Sequence, residues 1–335
     1  MLETARQIIG ALTDQTQTAL RTDRLIFRAG VWKPRTRPDT FQGAGEAALG
    51  WLAEVKATYG MPVATEVATP EHVQAALEAG IDYLWIGART SANPIAVQEI
   101  VESLKLIVER SRLDESFQLK ALLIKNPVNA DAGLWLGNIE RLEQTGVPVM
   151  AVHRGCGHQP CWSMAHQVRT ARQDIPMLLD PSHMSGDAKR VPELTGKIEE
   201  LGLDGAMIEV HCNPAEALSD KNQQISPAGL ERLRLTEDRP ASPDRTQTDS
   251  VELNWLRAEI DELDDALWGT IAARMDVSRR IGEWKKAHGV APLQPERFNA
   301  ILEQRKQWAV RKGIPESFVE QIFESIHKQS LREQI

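Results

Sequence analysis

The chain has 335 residues, a formal charge of −8 at pH 7 and 42% hydrophobic residues, so two domains with a sizeable core are expected. The net negative charge argues against nucleic acid as a main partner, and no apolar run reaches the roughly 18 residues that a membrane span needs. Three cysteines form an odd set (Cys156, Cys161 and Cys212), and the N-terminus lacks the pattern of a secretory signal. We therefore expect a protein of the reducing cytoplasm without a disulfide framework.

Short apolar runs alternate with segments of helical periodicity from the N-terminus to about residue 234. The predicted helices begin with Leu2–Leu12 and include Glu71–Ala79 and Asn138–Gln144. The predicted strands are Leu25–Val31, Pro62–Val67, Tyr83–Ala88, Ala121–Lys125, Val147–Val152, Pro176–Leu179 and Gly205–Val210. Nearly continuous apolar strands between helices are typical of a buried parallel sheet, and a repeat of this length favours a (β/α) barrel. An open doubly wound sheet is the alternative.

The strand count is one short of a closed barrel, which needs eight strands. The first predicted element, Leu2–Leu12, is a helix with no strand before it. Either one strand escapes detection or the first strand is missing. We predict an α/β fold: a (β/α)8 TIM-type barrel that lacks its first strand, followed by a small all-α domain of three helices.

Positively charged residues lie at or just beyond the ends of several predicted strands. In a (β/α) barrel the C-terminal ends of the strands form one mouth, where active sites lie. Any single cation there is more often merely solvated, but a ring of them suits phosphate and carboxylate groups. The residues are Arg28, Lys33, Arg35, Arg89, Lys125 and Arg154.

Three further polar residues follow the last two predicted strands. They are His183, Glu209 and Asp220, which are close enough in the predicted topology to meet. Imidazole and carboxylate ligands suit a divalent ion such as Mn²⁺, Fe²⁺ or Zn²⁺, although such a trio is often an ordinary hydrogen-bonded network. Cys156 and Cys161 offer an alternative zinc site, but the second cysteine pair of a structural site is missing.

The chain divides at a polar, proline-containing segment that we interpret as a linker, residues 235–249. Residues 250–335 are helical in pattern, with one long amphipathic helix that ends near Gly289 and two shorter helices, Pro295–Arg311 and Pro315–Gln334. A helix of roughly 38 residues, about 57 Å long, is not covered by two short partners, so we expect a dimer or a coiled coil. Arg274 and Lys285 lie on one face of the long helix, whereas Arg257 is roughly 42 Å from Lys285 along the axis.

The motifs of the first part resemble those of the 3-deoxy-D-arabino-heptulosonate 7-phosphate (DAHP) synthases, in the branch fused to chorismate mutase. In chain order they read KPRTRPDTFQG, IGART, LIKNPVN, VHRG, DPSH, IEVHCNP and LSDKNQQ, over nearly all of residues 1–234. The family joins phosphoenolpyruvate to erythrose 4-phosphate with the help of a divalent metal ion (Mn, Fe, Co or Zn). The Lys-Pro-Arg-Thr sequence favours erythrose 4-phosphate over the sugar of the sister octulosonate 8-phosphate synthases.

The resemblance implies a role for each strand-end residue. Arg28, Lys33, Arg89, Lys125 and Arg154 would hold phosphoenolpyruvate, with Lys33 and Lys125 counted as catalytic. Arg35 and Thr36 would hold erythrose 4-phosphate. His183, Glu209 and Asp220 would bind the metal, with His183 also counted as catalytic.

The family's first strand carries Gly-Pro-Cys-Ser, whose cysteine is a fourth metal ligand, and this motif is missing here. The missing strand and the missing ligand are one observation, so we expect a chain truncated at its N-terminus. We also expect it to bind phosphoenolpyruvate but to make little heptulosonate phosphate.

The second part resembles the all-helical chorismate mutases over residues 250–335, through LRAEIDELDDAL, AARM, IGEWKK and SLREQ. The resemblance implies a metal-free site lined by Arg274, Lys285, Arg297, Ser330 and Gln334, with Arg257 supplied by the partner chain. Lys285 and Gln334 would stabilise the breaking ether oxygen of chorismate. Gln294 and Phe298 stand where the family commonly has acids, near the substrate hydroxyl.

The resemblance as a whole implies a bifunctional shikimate-pathway enzyme, a synthase joined to a mutase. Its substrates would be phosphoenolpyruvate, erythrose 4-phosphate and chorismate, and it would form a homodimer through the mutase helices. The alternative is an active mutase whose barrel is a non-catalytic regulatory or scaffold module.

Overall fold

The structure, a computed structural model, describes residues 1–13, 25–34, 39–114, 119–233 and 245–334. It divides into two compact units, Met1–Glu259 and Ile260–Ile335. Arg35, Thr36 and most of the predicted linker lie outside the described residues. No helix in the described ranges is long and apolar enough to cross a membrane.

The first unit is built on a seven-stranded parallel sheet, curled as a TIM-like half-barrel, with its strands in sequential order β1 to β7. The strands are β1 Phe27–Arg28, β2 Val63–Val67, β3 Tyr83–Ile86, β4 Ala121–Lys125, β5 Val149–His153, β6 Met177–Leu179 and β7 Gly205–Ala206. Each lies within or overlaps one of the seven predicted strands, so the predicted fold class is confirmed. Neighbouring strands pair in parallel. For example, Ala64 of β2 pairs with Tyr83 of β3, which pairs in turn with Ala121 of β4.

Ten helices connect or flank these strands within the described residues of the first unit. They are α1 Leu2–Thr13, α2 Ala47–Tyr59, α3 Pro70–Glu78, α4 Ala88–Ser91, α5 Pro94–Asp114, α6 Ala132–Glu143, α7 Trp162–Ala171, α8 Pro181–Ser185, α9 Val191–Glu200 and α10 Pro227–Glu231. Short 3₁₀ turns lie at Ala188–Arg190, Pro214–Glu216 and Lys221–Gln223. Side chains that recur at helical spacing on the longer helices, such as Val97, Ile100 and Leu104 of α5, are buried in the main core.

Alternate residues of each strand face two different cores, because successive side chains of a strand point to opposite sides. On β3, Leu84 and Ile86 join the large cluster that contains the helices. Trp85, between them, packs with Ala64 of β2, Leu123 of β4, Val152 of β5 and Met207, the residue directly after β7. These five residues fill the inner side of the curled sheet.

The longest helix, α11, spans Arg245–Ala287 and is therefore longer at its start than predicted, because the last five residues of the predicted linker are helical. Its first part belongs to the barrel unit. Trp255, 2% exposed, packs edge-on against Trp162 of α7, with ring centroids 6.1 Å apart. His166 of α7 stacks on Trp255 and contacts the carboxylates of Glu252 and Glu259.

The second unit consists of the rest of α11 with α12 Pro295–Arg311 and α13 Glu316–Glu333. Both short helices end within a residue of their predicted bounds. α11 and α13 approach closely at Gly282, where a Cβ atom would lie 2.6 Å from the Cα of Gln334. Ion pairs Arg279–Glu333 at 2.9 Å and Lys306–Glu320 at 2.8 Å link the helices at their surface.

Candidate active sites

One pocket of the first unit gathers most of the predicted strand-end residues. It is lined by Arg28, Gly30, Lys33, Pro34, Glu66, Trp85, Arg89, Lys125, His183, Glu209 and Asp220. Arg28 and Lys125 are the last residues of β1 and β4, and Arg89 lies in α4, directly after β3. Because parallel strands end at the same edge of the sheet, residues far apart in sequence meet here. The structure thus brings seven of the predicted site residues together.

Lys125 and Asp180 form a buried ion pair at the base of this region. Their side chains are 6% and 0% exposed, and Lys125 Nζ lies 2.7 Å from Asp180 Oδ2. Burial alone would raise the pKa of Asp180, but His183 and Lys125 overcome this effect and hold it well below its ordinary value. Asp180 therefore stays charged and holds the side chains of Lys125 and His183 in position.

His183 is oriented as metal-binding histidines usually are. Its Nδ1 lies 2.9 Å from Asp180 Oδ2, which leaves Nε2 facing Glu209, with Oε1 3.9 Å away. A carboxylate behind the ring fixes its orientation and raises its basicity as a ligand. His183 and Glu209 thus have the chemistry and the proximity of two ligands.

The third predicted ligand, Asp220, is engaged elsewhere. Its Oδ2 accepts a hydrogen bond from Lys33 Nζ at 2.9 Å, and Lys33 also donates to Ser219 Oγ at 2.6 Å. Glu209 is held in turn by Gln223, whose Nε2 donates to Oε2 at 2.8 Å, and by Arg28 at 3.6 Å. Across the described residues, no three histidine, cysteine or acidic side chains gather closely enough to hold a metal. The predicted trio is therefore only partly assembled.

Arg154 lies beside the pocket and is not among the residues that line it. Burial lowers the pKa of its guanidinium, Asp180 opposes this effect and the neighbouring Arg89 adds to it. Its backbone N–H donates to Asn126 Oδ1 at 2.7 Å, which ties the end of β5 to the end of β4. Arg35 and Thr36, predicted to hold the sugar phosphate, lie outside the described residues.

Two pocket residues were missed at the sequence level, Glu66 and Trp85. Burial raises the pKa of Glu66, although Lys125, His183 and Lys33 oppose this effect. Trp85 lies under Arg28, with the guanidinium carbon 5.5 Å from the ring centroid. Both lie inside strands, whereas the predicted site residues of this pocket lie at or beyond strand ends. The signal available for Glu66 was an acid inside the apolar strand VATEV.

The second unit brings together four of its predicted site residues. Arg274 donates to Ser330 Oγ, and Lys285 Nζ donates to Gln334 Oε1 at 3.2 Å and to the Pro292 carbonyl at 2.6 Å. Burial lowers the pKa of Arg274. α11 therefore presents two cations to one face of α13.

The remaining predicted mutase residues are placed differently. Arg297 is exposed in the first turn of α12, and Gln294 is the residue directly before that helix. Arg257 is exposed in the first unit and donates to Asn254 Oδ1 at 3.5 Å. His327, which sequence reasoning missed, stacks on Phe298 with ring centroids 4.2 Å apart.

Comparison with known proteins agrees with both units. Residues 2–239 match the family model described as the DAHP synthetase I family, and residues 256–335 match that of chorismate mutase type II. The phospho-2-dehydro-3-deoxyheptonate aldolase of Thermotoga maritima is 30% identical over 203 residues, which are 60% of this chain and 56% of that protein. The chain thus spans little more than half the length of that relative.

Two more similarities bear on the two units separately. The crystal structure of phospho-2-dehydro-3-deoxyheptonate aldolase from Thermotoga maritima superposes with a TM-score of 0.55 at 25% identity, covering 69% of this chain and 62% of that one. The 4-amino-4-deoxychorismate mutase of Streptomyces venezuelae is 37% identical over 79 residues, which are 24% of this chain and 77% of that protein. With the family model matched over residues 2–239 and the parallel sheet that carries the site, the chain belongs to the DAHP synthetase I family, with a chorismate mutase type II domain fused after it.

Proposed function

We propose that the chain is bifunctional, with a barrel unit that condenses phosphoenolpyruvate with erythrose 4-phosphate and a helical unit that rearranges chorismate to prephenate. The observation that carries the first activity is the convergence of Arg28, Lys33, Arg89 and Lys125 on the pocket that also contains His183. Four cations at one mouth match a substrate that carries both a phosphate and a carboxylate.

The residues of the pocket have distinct tasks in this proposal. Arg89 and Lys125 bind the phosphate and the carboxylate of phosphoenolpyruvate. Arg28, held over the Trp85 ring, contributes a further cation to the lining of the pocket. Lys33 is oriented by Asp220 and Ser219 and delivers its ammonium group to the reacting end. Charge-assisted bonds of this kind hold the two substrates in position, which supplies a large part of the rate.

Enzymes of this family generally depend on a divalent metal ion. We propose His183 and Glu209 as its ligands, with Asp220 as the third through a carboxylate that it would share with Lys33. When bound, it would act as a Lewis acid on the aldehyde oxygen. Titration with Co²⁺, followed by its visible absorption, tests this placement without an activity assay. We expect His183→Gln to weaken Co²⁺ binding at least tenfold and His211→Gln, a histidine outside the pocket, to leave it unchanged.

The synthase proposal is tested by phosphoenolpyruvate consumption and phosphate release with and without erythrose 4-phosphate, in the presence of Mn²⁺. We expect Arg89→Met to weaken phosphoenolpyruvate binding about 10- to 100-fold, because a charged hydrogen-bond donor is lost. Arg190→Met, a half-exposed arginine outside the pocket, should bind as the unaltered chain does. Binding without any condensation is the result expected of a chain that lacks the Gly-Pro-Cys-Ser cysteine, and also of the alternative, a barrel that serves as a regulatory or scaffold module.

The mutase proposal rests on Arg274 and Lys285 facing Ser330 and Gln334. The rearrangement is intramolecular, so the site must hold a dicarboxylate in a compact conformer and stabilise charge on the breaking ether oxygen. Lys285 engages the Gln334 side-chain oxygen, which leaves the amide nitrogen of Gln334 to donate to that ether oxygen. Loss of chorismate absorbance measures the activity, and Lys285→Met should lower kcat at least a hundredfold. A variant as fast as the unaltered chain would contradict this assignment.

Two curated relatives over this part of the chain are named 4-amino-4-deoxychorismate mutases, so that amine is the competing substrate. We propose chorismate as the substrate of this chain.

A homodimer through the mutase helices is also part of the proposal. Three residues of the predicted apolar stripe of α11, Ile260, Leu263 and Leu267, are 58%, 68% and 52% exposed in the single chain, and the neighbouring Trp268 is 66% exposed. A row of exposed apolar residues is typical of a protein interface, and the same row on α11 of a second chain could bury it. We expect the protein in the cytoplasm, without nucleic-acid or membrane partners.

A further inference from the structure

His327 lies on the same face of α13 as two residues of the proposed mutase site. It precedes Ser330 by three residues and Gln334 by seven, so the three directions differ by about 60° and about 20° on the helical wheel. Ser330 contacts Arg274, and Gln334 contacts Lys285. His327 therefore extends the contact row of α13 by one turn, beside the two cations.

The ring of His327 is fixed in place but incompletely bonded. It stacks on Phe298 with ring centroids 4.2 Å apart, and Phe298 stacks in turn on Phe323 at 5.6 Å. Its Nε2 atom is buried and has no hydrogen-bond partner within the described part of the chain. A buried polar atom without a partner costs about 1–3 kcal/mol, which a hydrogen bond to a group of the bound ligand would recover.

The charges around His327 keep the ring neutral. Burial lowers its pKa, and the positive charges of Arg274 and Lys285 lower it further. A neutral imidazole has one N–H donor and one acceptor nitrogen, so Nε2 pairs with a hydroxyl group in either tautomer.

We propose that Nε2 of His327 bonds the C4 hydroxyl of chorismate and makes His327 the residue that selects chorismate over 4-amino-4-deoxychorismate. The proposal rests on the chorismate mutase activity proposed above. In the family that this part of the chain resembles, two positions near the substrate hydroxyl commonly hold acids. Here those positions hold Gln294 and Phe298, and we assign the recognition of the hydroxyl to His327 instead.

The choice between the two substrates follows from charge. The amine at C4 is protonated at neutral pH, so it only donates hydrogen bonds and brings a positive charge. Arg274 and Lys285 repel that charge, and neither Gln294 nor Phe298 supplies a carboxylate to offset it. The hydroxyl brings no charge and bonds the neutral ring directly. We expect the site to favour chorismate at least tenfold in kcat/KM, which is about 1.4 kcal/mol.

The test compares two substitutions of nearly equal length, His327→Gln and His327→Met, on both substrates. Glutamine keeps a donor and an acceptor, whereas methionine keeps only the bulk. We expect His327→Met to lower kcat/KM for chorismate about tenfold and to leave the low value for 4-amino-4-deoxychorismate unchanged. We expect His327→Gln to retain most of the activity with chorismate. His288→Met serves as the matched control, since His288 is exposed at the end of α11.

The outcomes separate this proposal from the proposed function. Equal losses with both substrates, or no loss with either, would overturn the role of His327 while leaving the mutase activity in place. A preference of the unaltered chain for the amine would overturn both. If the unaltered chain turns over neither substrate, the mutase activity fails, and calorimetry with chorismate decides the role of His327. Weaker binding by His327→Met than by His327→Gln supports the proposal, and equal binding overturns it.

Discussion

The Lys125–Asp180 pair is the most buried ion pair among those described in the barrel unit. Such a pair contributes little net stability when complete, but removal of Lys125 takes the nearest cation from the fully buried carboxylate of Asp180, which then keeps the His183 ring as its neighbour in a low-dielectric interior. We expect Lys125→Met to lower the free energy of unfolding by about 3–5 kcal/mol, measured by urea unfolding without substrate.

Lys56→Met provides the matched control for that prediction. Lys56 Nζ lies 3.0 Å from Asp82, but its side chain is 34% exposed and Lys120 is a second partner of the same carboxylate. The pair is therefore worth about 1 kcal/mol or less. Equal losses for the two variants would contradict the argument that burial sets the cost.

His153 predicts a pH dependence of stability. Its ring lies between Trp135 and Trp162, and burial lowers its pKa to about 3, although the Pro160 carbonyl favours the charged ring. In the unfolded chain the ring binds a proton near pH 6.5, whereas the buried native ring stays neutral at that pH. The free energy of unfolding therefore decreases as the pH falls from about 6.5 toward 3.

His153→Phe should remove this dependence while keeping an aromatic ring between the two tryptophans. We expect the loss of unfolding free energy between pH 7 and pH 5 to be about 2 kcal/mol smaller in the variant. Urea unfolding at both pH values measures it, with His288→Phe at an exposed position as the control. Parallel pH profiles for His153→Phe and the unaltered chain would refute the assignment.

The strand-end residues of the site could be predicted because the sheet is parallel and all its strands end at one edge. Position along the chain then determines position in space, as for Arg28, Lys125 and His183. Trp85 and His327 were not predictable in this way. Their roles depend on which neighbour lies against the ring, Arg28 in one case and Phe298 in the other, and no local sequence pattern carries that information.

At the scale of whole elements, the approach of α11 to α13 depends on one glycine. A Cβ atom at Gly282 would lie 2.6 Å from Gln334 Cα and 2.8 Å from its carbonyl oxygen, so backbone must move to admit alanine. Gly282→Ala should displace Gln334 from Lys285. A shift of about 1 Å at a reacting group costs roughly a hundredfold in rate, and loss of chorismate absorbance measures it.

Gly269→Ala is the control on the same helix. A Cβ atom there meets nothing within 4 Å, so alanine should raise stability by about 1 kcal/mol through helix propensity and leave the rate unchanged. If both variants retain full mutase activity, the close approach of the helices does not set the position of Gln334.

The elements themselves were largely predictable, for a physical reason. Strands buried on both faces must be apolar throughout, so runs such as Ala121–Lys125 are visible in the sequence. The start of α11 was not. Its first residues, from Arg245, are polar and lack apolar periodicity, and the helix continues into them from the part anchored by Trp255.

At the scale of the whole molecule, two residues of the proposed mutase site, Arg257 and Lys285, lie far apart along the sequence of α11. They are 28 residues apart in the sequence, a separation that corresponds to roughly 42 Å along the axis of an ideal helix. Two antiparallel copies of the helix would bring Arg257 of one chain near Lys285 of the other. The exposed row of apolar residues on α11 supports that assembly.

A shared site predicts complementation between inactive variants. In a dimer of an Arg257→Ala chain with a Lys285→Ala chain, one site receives both altered residues and the other receives neither. Random exchange of equal amounts should therefore restore about a quarter of the sites of the unaltered dimer. The control pairs Arg274→Ala with Lys285→Ala: both residues serve the site of their own chain, so each site of the mixed dimer keeps one defect and no activity returns.

Subunit exchange by dilution from mild urea, followed by an assay of the loss of chorismate absorbance, measures the recovery. Dimers without recovery in the first pair would mean that Arg257 does not serve the partner's site, and recovery in the control pair would mean that Arg274 and Lys285 do not act together.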